Sequence, residues 1–265
     1  MEIYQPSEDS HLLSNSVKDY LINLNKKINN ITNINNVKYN KSSNNKYNPY
    51  SLASFINPNH INNKSINSNN NNNSNLSAKF KSSNLINSNK SPLSSSNHIN
   101  DIKDLIKIID IGSGSGIQAK TCKKLGFNNI LTSDINPNVI KSLKKQGFKS
   151  INSNLFEKIK GKFDLIIFNP PYLPEDKNEP PDSRHATTAG KQGYEIIIKF
   201  LKQAKSHLET KGTILLLFSS LSKPNIIKKQ AKALGYGLKL IKKQNLFFEK
   251  IFVYKIKRKQ SKALL

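Results

Sequence analysis

Residues 107–120 read KIIDIGSGSGIQAK, a short apolar strand followed by a glycine-rich turn and the start of a helix. The glycines Gly112, Gly114 and Gly116 permit a sharp turn and let the backbone approach a ligand closely. The helix that follows offers free backbone N–H groups at its N-terminus. A dinucleotide-binding fingerprint would have its third glycine at position 117, where this chain has Ile117. The stretch indicates a nucleotide-binding turn in an α/β fold, with a plain tight turn as the alternative.

The residues after this turn alternate between short apolar strands and helices. We predict strands over 107–111, 130–134, 149–152, 163–168, 212–218, 238–242 and 247–256, and helices over 117–125, 136–146, 192–208 and 223–234. Because such alternation builds parallel sheets with helices on both faces, ligands should bind beyond the carboxyl ends of the strands. No helix separates the last two strands, which favours one antiparallel strand. The predicted fold class is α/β: a Rossmann-like domain with a mainly parallel seven-stranded sheet and one antiparallel strand.

The first hundred residues divide into a helix and a low-complexity segment. Residues 9–22 space their apolar side chains as a helix does. Between Tyr20 and Asn100 the chain has no Asp or Glu, and about a third of the residues are Asn. Such a composition buries too little apolar surface to offset chain entropy. We predict an N-terminal helix within 1–22 that belongs to the folded domain, a disordered Asn-rich insert over 23–101, and the main folded domain over 102–265.

The formal net charge of +25 comes from lysine, with 40 Lys and 2 Arg in the chain. Residues 101–265 carry 32 basic and 13 acidic side chains, so most of the excess lies on the predicted folded domain. This charge would attract an anionic partner such as nucleic acid, a ribosome or an acidic protein. A codon bias toward lysine in an AT-rich genome explains it equally well.

Cysteine, histidine and hydropathy patterns exclude several classes of protein. The single cysteine, Cys122, excludes an internal disulfide framework and a cysteine-based zinc site, and the five histidines show no metal-ligand spacing. The opening MEIYQPSEDS lacks the pattern of a secretory signal, and no apolar run reaches 18 residues. We therefore expect a soluble cytoplasmic protein without a metal site or a membrane span.

Polar residues follow the first three predicted strands, where a nucleotide would bind. Asp110, two residues before Gly112, suits a cationic sulfonium ligand such as S-adenosylmethionine better than a pyrophosphate. Asp134 ends the second strand, where a carboxylate can accept hydrogen bonds from both ribose hydroxyls; the alternative is a helix N-cap. After the third strand, the carbonyl of Asn154 is placed to accept from an adenine amino group, and Leu155 to cover one face of the ring.

The tetrapeptide Asn169-Pro170-Pro171-Tyr172 directly follows the strand FDLIIF and carries the most specific chemical signal. Consecutive prolines fix the backbone and remove two N–H donors, which leaves carbonyl groups free as acceptors. The side-chain carbonyl of Asn169 and the main-chain carbonyl of Pro170 can hold both hydrogens of a planar –NH2 group, and Tyr172 can form an aromatic wall. Such a grip orients a weakly nucleophilic nitrogen for methyl transfer. A rigid loop without chemistry is the alternative.

These stretches together resemble the HemK/PrmC-type methyltransferases, in particular the archaeal and eukaryotic branch. The resemblance rests on YQPSEDSHLL (4–13), IIDIGSGSGIQA (108–119), TSDINP (132–137), FDLIIFNPPYLP (163–174), AGKQGYEII (189–197) and LFFEKIFVYKI (246–256). It implies an S-adenosylmethionine-dependent enzyme that methylates the glutamine side-chain amide in the GGQ motif of class 1 translation release factors. It also implies a small zinc-binding activator subunit that pairs along one edge of the sheet.

The resemblance also assigns roles by position. The cofactor would contact Ser10, Asp110, Gly112, Gly114, Gly116, Asp134, Asn154, Leu155 and Asn169. Residues 169–172 would hold the substrate amide. The family usually has Asp where this chain has Asn154, so we expect weaker cofactor binding, and the insert separates Ser10 from the first strand, which the family joins by a short link.

Two other readings of the sequence stay open. The same tetrapeptide serves amino-methyltransferases that act on adenine or cytosine in nucleic acid, and some relatives have been proposed to methylate lysine. A nucleic acid enzyme would need a target-recognition region, for which residues 23–100 are the only candidate. A non-catalytic scaffold with the insert as its functional part is a third hypothesis, against which the intact tetrapeptide argues.

Overall fold

A seven-stranded sheet in the order β3-β2-β1-β4-β5-β7-β6 forms the centre of the protein. The structure is a computed structural model that describes residues 6–39, 95–174 and 190–259. Its strands are β1 (Ile108–Ile111), β2 (Ile130–Asp134), β3 (Lys149–Asn152), β4 (Phe163–Phe168), β5 (Leu208–Ser219), β6 (Tyr236–Asn245) and β7 (Lys250–Arg258). Its helices are α1 (Glu8–Tyr39), α2 (Ser95–Leu105), α3 (Ile117–Lys124), α4 (Pro137–Lys145), α5 (Glu195–His207) and α6 (Pro224–Ala233), with a 3₁₀ turn over Ser220–Ser222.

Strand β1 lies near the middle of the sheet and is buried along its whole length. It pairs in parallel with β2 on one side and β4 on the other. Such continuous apolar strands are typical of a parallel sheet covered on both faces. Of the seven strands described, β7 alone is antiparallel to its neighbours β5 and β6. The predicted fold class, a Rossmann-like α/β sheet with one antiparallel strand, is confirmed.

Two apolar cores lie on opposite faces of the sheet. Ile108 contributes to the first core and Ile109 to the second, because successive side chains of a strand point to opposite faces. Helices α1, α3 and α4 cover the first core, and α5 and α6 cover the second. The buried Leu13 and Val17 place α1 in the same core as the helix that follows the glycine-rich turn. Helix α1 is therefore an integral part of the fold.

Helix α1 is longer than the sequence predicted, since it ends at Tyr39 and not at residue 22. Leu21, Leu24 and Ile28 continue its apolar face at helical spacing, and Ile28 is fully buried. Helix α2 begins at Ser95 and contacts α1. The predicted disordered insert is thus wrong for residues 23–39 and 95–101, because an Asn-rich composition concealed a helical spacing. The rest of the predicted insert, residues 40–94, lies outside the described residues.

The last strand also differs from its prediction. It starts at Lys250, three residues later than expected, because residues 246–249 form the turn between β6 and β7. A backbone hydrogen bond of 2.8 Å from the Leu246 N–H to the Glu249 carbonyl closes this turn. Phe247 and Phe248 therefore lie at its tip and not within a strand. Among the described helices, none is long and apolar enough to cross a membrane.

Candidate active site

A cavity of about 630 Å³ opens at the carboxyl ends of β1, β2 and β4, where the parallel topology predicts ligand binding. The first turn of α1 and the loop after β3 complete its walls. Ten of the predicted site residues line it: Ser10, Asp110, Gly112, Gly114, Asp134, Asn154, Leu155, Asn169, Pro170 and Pro171. The fold brings these residues together from five separate segments of the chain.

The glycine-rich turn keeps the floor of the cavity open. Gly112 and Gly114 have φ angles of +60° and +51°, which strain any residue with a side chain. A Cβ atom at Gly112 would lie 3.4 Å from the Phe168 ring, whereas one at Gly114 would have no neighbour within 4 Å and would point into open space. Ser113 attaches the turn to β2 through a backbone hydrogen bond of 3.0 Å to the Ser133 carbonyl.

Gly116 has a different role from the one assigned by the resemblance, because it does not line the cavity. Its φ is +77°, and an added Cβ would come within 2.7 Å of a Leu143 methyl group on α4. The absence of a side chain at Gly116 therefore lets the start of α3 pack closely against α4.

Asp110 is buried at the end of β1, and the described residues give its Oδ2 atom no hydrogen-bond partner. Burial raises the pKa of Asp110 to about 8, and the negative charge of Asp134 adds to the rise, while hydrogen bonds from Ser113 and the Ala119 backbone oppose it. Burial of an uncompensated carboxylate is costly. The site would therefore gain from a cationic ligand, which would stabilise the ionised form of Asp110.

Asp134 is already oriented by the backbone. Its two carboxylate oxygens accept hydrogen bonds from the N–H groups of Gly114, at 3.0 Å, and Asn136, at 2.9 Å. Burial raises the pKa of Asp134, and these backbone bonds partly counteract the rise. The helix N-cap is Asn136, whose side chain accepts from the Asn138 N–H at 2.9 Å. Asp134 is thus not the cap of α4, and it retains acceptor capacity toward the cavity.

Asn154 and Leu155 line the cavity from the loop that follows β3. Leu155 is buried and has a φ of +51°, an uncommon conformation for a residue with a side chain. The Asn154 side chain donates to Glu157 at 2.8 Å, and Glu157 forms a salt bridge of 3.1 Å with Lys199, another lining residue. Glu157 therefore engages the N–H2 group of Asn154, and this bond leaves the side-chain oxygen of Asn154 as an acceptor.

Asn169 follows β4 and faces the first turn of α1. Its side-chain N–H2 donates to the Asp9 carboxylate at 3.1 Å and to the Ser10 hydroxyl at 3.3 Å. Its Oδ1 atom is buried and accepts no hydrogen bond from any described residue, and the carbonyl of Pro170 likewise has no such bond there. Two acceptor groups of the tetrapeptide are therefore free beside the cavity, as the proposed grip on an –NH2 group requires.

Tyr172 lies elsewhere than expected. The described structure does not include it in the cavity lining, and its half-buried ring packs against both apolar cores. Its main-chain carbonyl accepts a hydrogen bond of 2.8 Å from the Ser222 hydroxyl. The Tyr172 ring therefore packs into the cores beneath the sheet-end loop and does not form the predicted aromatic wall of the cavity.

Sequence reasoning did not single out several residues of the site, among them Asp9 and Gln118 in the cavity lining and Gly193 beside the tetrapeptide loop. Asp9 orients the Asn169 amide, and the segment PSEDS, which runs into the first turn of α1, contained this carboxylate beside the predicted Ser10. Gln118, on the first turn of α3, lines the cavity and has a buried Oε1 atom without a partner among the described residues. Gly193 is buried against the backbone of residues 172–174. The stretches AGKQGYEII and IIDIGSGSGIQA contain Gly193 and Gln118, but neither residue was singled out within them.

The cavity is therefore rich in unused acceptors. Asp110, Gln118 and Asn169 each contribute a buried oxygen without a partner among the described residues. Buried polar atoms in folded proteins are nearly always hydrogen-bonded, so this set calls for a ligand that brings donors or positive charge. The sulfonium and amino groups of S-adenosylmethionine have this character, and Asp134 would offer a carboxylate to its ribose hydroxyls. The residues present thus fit the cofactor.

Comparison with known proteins agrees with this chemistry. Residues 96–236, just over half of the chain, match the family described as methyltransferase small domain. The chain belongs to this family. It is an S-adenosylmethionine-dependent methyltransferase, and its resemblance to HemK/PrmC-type enzymes is confirmed.

Two curated relatives and one solved structure show the extent of the similarity. A Methanocaldococcus jannaschii protein with the provisional name protein N5-glutamine methyltransferase is 34% identical over 154 residues, 55% of this chain and 78% of that protein. The release factor glutamine methyltransferase of Borreliella burgdorferi is 36% identical over 124 residues, 42% of this chain and 43% of that protein, so the chain spans less than half of this relative. The Mtq2–Trm112 complex of E. cuniculi, whose description names methylation of the translation termination factor eRF1, has a TM-score of 0.48 and 25% identity, covering 58% of this chain and 86% of that one.

The raised pKa of Asp110 predicts that cofactor binding depends on pH. Because the cationic cofactor favours the carboxylate form, binding below pH 8 should release a proton. We expect the affinity for S-adenosylmethionine to increase by up to about tenfold per pH unit as the pH rises toward 8, and then to level off. Calorimetry in buffers of different ionisation enthalpy measures both the affinity and the number of protons released on binding.

S-adenosylhomocysteine is the matched control ligand, since it has the same amino acid group but lacks the sulfonium charge. It should release fewer protons, and Asp110→Asn should remove the pH dependence for both ligands. Equal proton release by the two ligands would show that Asp110 does not sense the sulfonium.

The close approach of Gly193 to the backbone of residues 172–174 predicts that this glycine positions the tetrapeptide loop for catalysis. A Cβ atom there would lie 2.9 Å from the Tyr172 carbonyl oxygen and 2.9 Å from the Pro174 nitrogen, so Gly193→Ala should displace the tetrapeptide loop. We expect kcat to fall by about tenfold or more, because small misplacements of a positioning loop are costly, while cofactor affinity stays within about twofold. Steady-state kinetics and calorimetry test this expectation.

Gly235→Ala is the matched control. Gly235 has a similar φ of +84° but no atom within 4 Å of an added Cβ, so this variant carries the backbone strain without the collision. Both variants should lower the midpoint of thermal unfolding, and only Gly193→Ala should lower kcat. Equal kcat values in the two variants would contradict the positioning role.

Proposed function

We propose that this methyltransferase transfers the methyl group to the side-chain amide nitrogen of a glutamine, in the GGQ motif of a class 1 translation release factor. The observation that carries the proposal is the pair of free acceptors on Asn169 and Pro170 beside the cofactor cavity. A primary amide presents two coplanar N–H groups, which match two neighbouring carbonyl oxygens. The names of the Methanocaldococcus and Borreliella relatives support the same acceptor.

The tetrapeptide would act by position and by electrostatics. An amide nitrogen is a weak nucleophile because its lone pair is delocalised into the carbonyl group. When both of its hydrogens are held by Asn169 and Pro170, the nitrogen is fixed in one orientation and gains electron density. Positioning and stabilisation of the positive charge that develops on nitrogen account for most of the expected rate gain. The cofactor supplies an electrophilic methyl carbon on its sulfonium.

Asp9 has an indirect part in this arrangement. Its carboxylate accepts the hydrogen bond of the Asn169 N–H2 group and thereby directs Oδ1 away from α1. Gln118 ties the same helix turn to α3 through a hydrogen bond of 3.0 Å to the Ser10 carbonyl. The first turn of α1 is therefore a positioning element for Asn169.

The proposal extends to a partner and a location. We propose that a small zinc-binding activator pairs along one edge of the sheet; β3 and β6 are the two edge strands, each with one side unpaired in this sheet. A release factor substrate implies action in the cytoplasm, where translation takes place.

An amino group of a nucleic acid base is a second candidate acceptor. A cluster of lysines favours it: Lys239 lies opposite Lys255 in the register of β6 and β7. Burial lowers the pKa of Lys255, and the nearby charges of Lys257, Lys27 and Lys239 lower it further. Like charges on adjacent strands are destabilising unless an anion compensates them. Such a cluster would bind a phosphate backbone, although it gives no base specificity.

The function predicts the behaviour of Asn169→Ala. This variant removes one of the two acceptors, so we expect methyl transfer to a cognate release factor to fall by at least about 100-fold, as for other preorganised acceptor or donor groups. Affinity for S-adenosylmethionine should change by less than about threefold. Mass spectrometry of the release factor, with the enzyme alone and with the activator, measures the methyl transfer.

Asn225→Ala, at an exposed asparagine on α6, is the control and should leave both quantities unchanged. A joint loss of methyl transfer and of cofactor affinity in Asn169→Ala would mean that Asn169 belongs to the cofactor site only. Methylation of RNA or DNA by the wild-type enzyme, with none on the release factor, would favour the second candidate.

A further inference from the structure

The turn between β6 and β7 exposes two aromatic side chains. Phe247 is 92% exposed and Phe248 is 86% exposed, and their rings form an edge-to-face pair with centroids 4.6 Å apart. Leu221, in the neighbouring 3₁₀ turn, is 43% exposed. We call Leu221, Phe247 and Phe248 the aromatic tip. Full exposure of two phenylalanines is unfavourable in water, which marks such a patch as an interaction site.

The aromatic tip lies at the same end of the sheet as the active site, where the carboxyl ends of β4 and β5 meet. Strand β5 runs parallel to β4, so Ser219 at its end emerges on the side of the tetrapeptide. Ser219 is paired with Ile251 at the start of β7, which places the β6–β7 turn on that side too. With about 4.8 Å between adjacent strands, two strand spacings separate β4 from β7, or about 10 Å.

Hydrogen bonds connect the aromatic tip to the tetrapeptide loop. The Lys250 N–H donates to the Ser220 hydroxyl at 2.9 Å, and the Ser222 hydroxyl donates to the Tyr172 carbonyl at 2.8 Å. The tip and the tetrapeptide loop thus share the 3₁₀ turn as a common support. A molecule that binds the tip is held in a fixed position relative to Asn169.

We propose that the aromatic tip is a docking site for the body of the methyl-acceptor protein, next to the glutamine that enters the active site. The cognate surface would be an apolar patch surrounded by carboxylates, because Lys223, Lys243 and Lys250 around the tip are exposed and positively charged. Binding there would supply affinity remote from the reacting amide and position the acceptor loop over Asn169. The inference rests on the proposed function, because it states how the enzyme would recognise the acceptor protein beyond the glutamine that is methylated.

The test compares two acceptors of the full-length enzyme in the presence of the activator. One is the cognate release factor, and the other is a short peptide that contains only its GGQ segment. Phe247→Ser/Phe248→Ser should raise KM for the release factor by about tenfold or more, with kcat unchanged. KM for the peptide and affinity for S-adenosylmethionine should stay within about twofold.

The control variant is Ala233→Ser, which changes an exposed apolar position at the last residue of α6, at the opposite end of the sheet from the aromatic tip and on neither edge strand. It should leave KM unchanged for both acceptors. Direct binding of a release factor with GGQ changed to GGA, measured by calorimetry, gives a second readout that needs no methyl transfer, and the double variant should weaken it by the same factor.

The outcomes separate the two proposals. Unchanged KM and unchanged binding in the double variant would overturn docking while the proposed function stands. Binding that depends on the aromatic tip, without methylation, would support docking and overturn the proposed function. An equal rise in KM for the release factor and for the peptide would overturn docking, because the tip would then serve the active site. Loss of activator binding in the double variant would also overturn it, because the tip would then serve the activator. Failure of the wild-type enzyme to bind the release factor would overturn both.

Discussion

The hydrogen bond between the Asn169 amide and Asp9 decides what the active site can do. An asparagine side chain presents a donor at one end and an acceptor at the other, and the carboxylate of Asp9 can take only the donor. The acceptor atom, Oδ1, is then left without a partner among the described residues, on a side chain that lines the cavity as Pro170 does. The two residues are separated by 160 positions in the chain. A local motif thus obtains its chemical orientation from a distant helix, and α1 is as much a part of the site as the tetrapeptide.

Asp110 and Asp134, two of the acidic residues that line the cavity, differ in their surroundings and therefore in what they can bind. Asp134 accepts two backbone hydrogen bonds and serves as a fixed acceptor at the end of β2. Asp110 has a carboxylate oxygen without a partner among the described residues, and its pKa is raised to about 8. The first is suited to recognising neutral hydroxyl groups, and the second responds to positive charge. Under the proposed function, this separation of roles would let one cavity recognise both the sulfonium and the ribose of the cofactor.

Much of this could be predicted from the sequence, for identifiable reasons. Parallel strands bring their carboxyl ends to one edge, so residues that directly follow strands, such as Asp110, Asp134 and Asn169, fall into place once the strands are known. The predictions failed where a side chain had two possible environments. The Tyr172 ring packs against both apolar cores and does not line the cavity, and these long-range contacts could not be read from the tetrapeptide. Gln118 could not be found, since only the docking of α1 makes its position part of the site.

The insertion of β7 between β5 and β6 has a consequence for the synthesis of the protein. Strand β5 is buried and apolar from Ile214 to Phe218, and in this sheet the side of it that faces away from β4 pairs only with β7, which follows every other described strand in the chain. Until β7 arrives, the nascent chain presents an unpaired apolar edge of the kind that recruits other chains into aggregates. A truncation before β7 would therefore endanger solubility without removing any residue that lines the cavity.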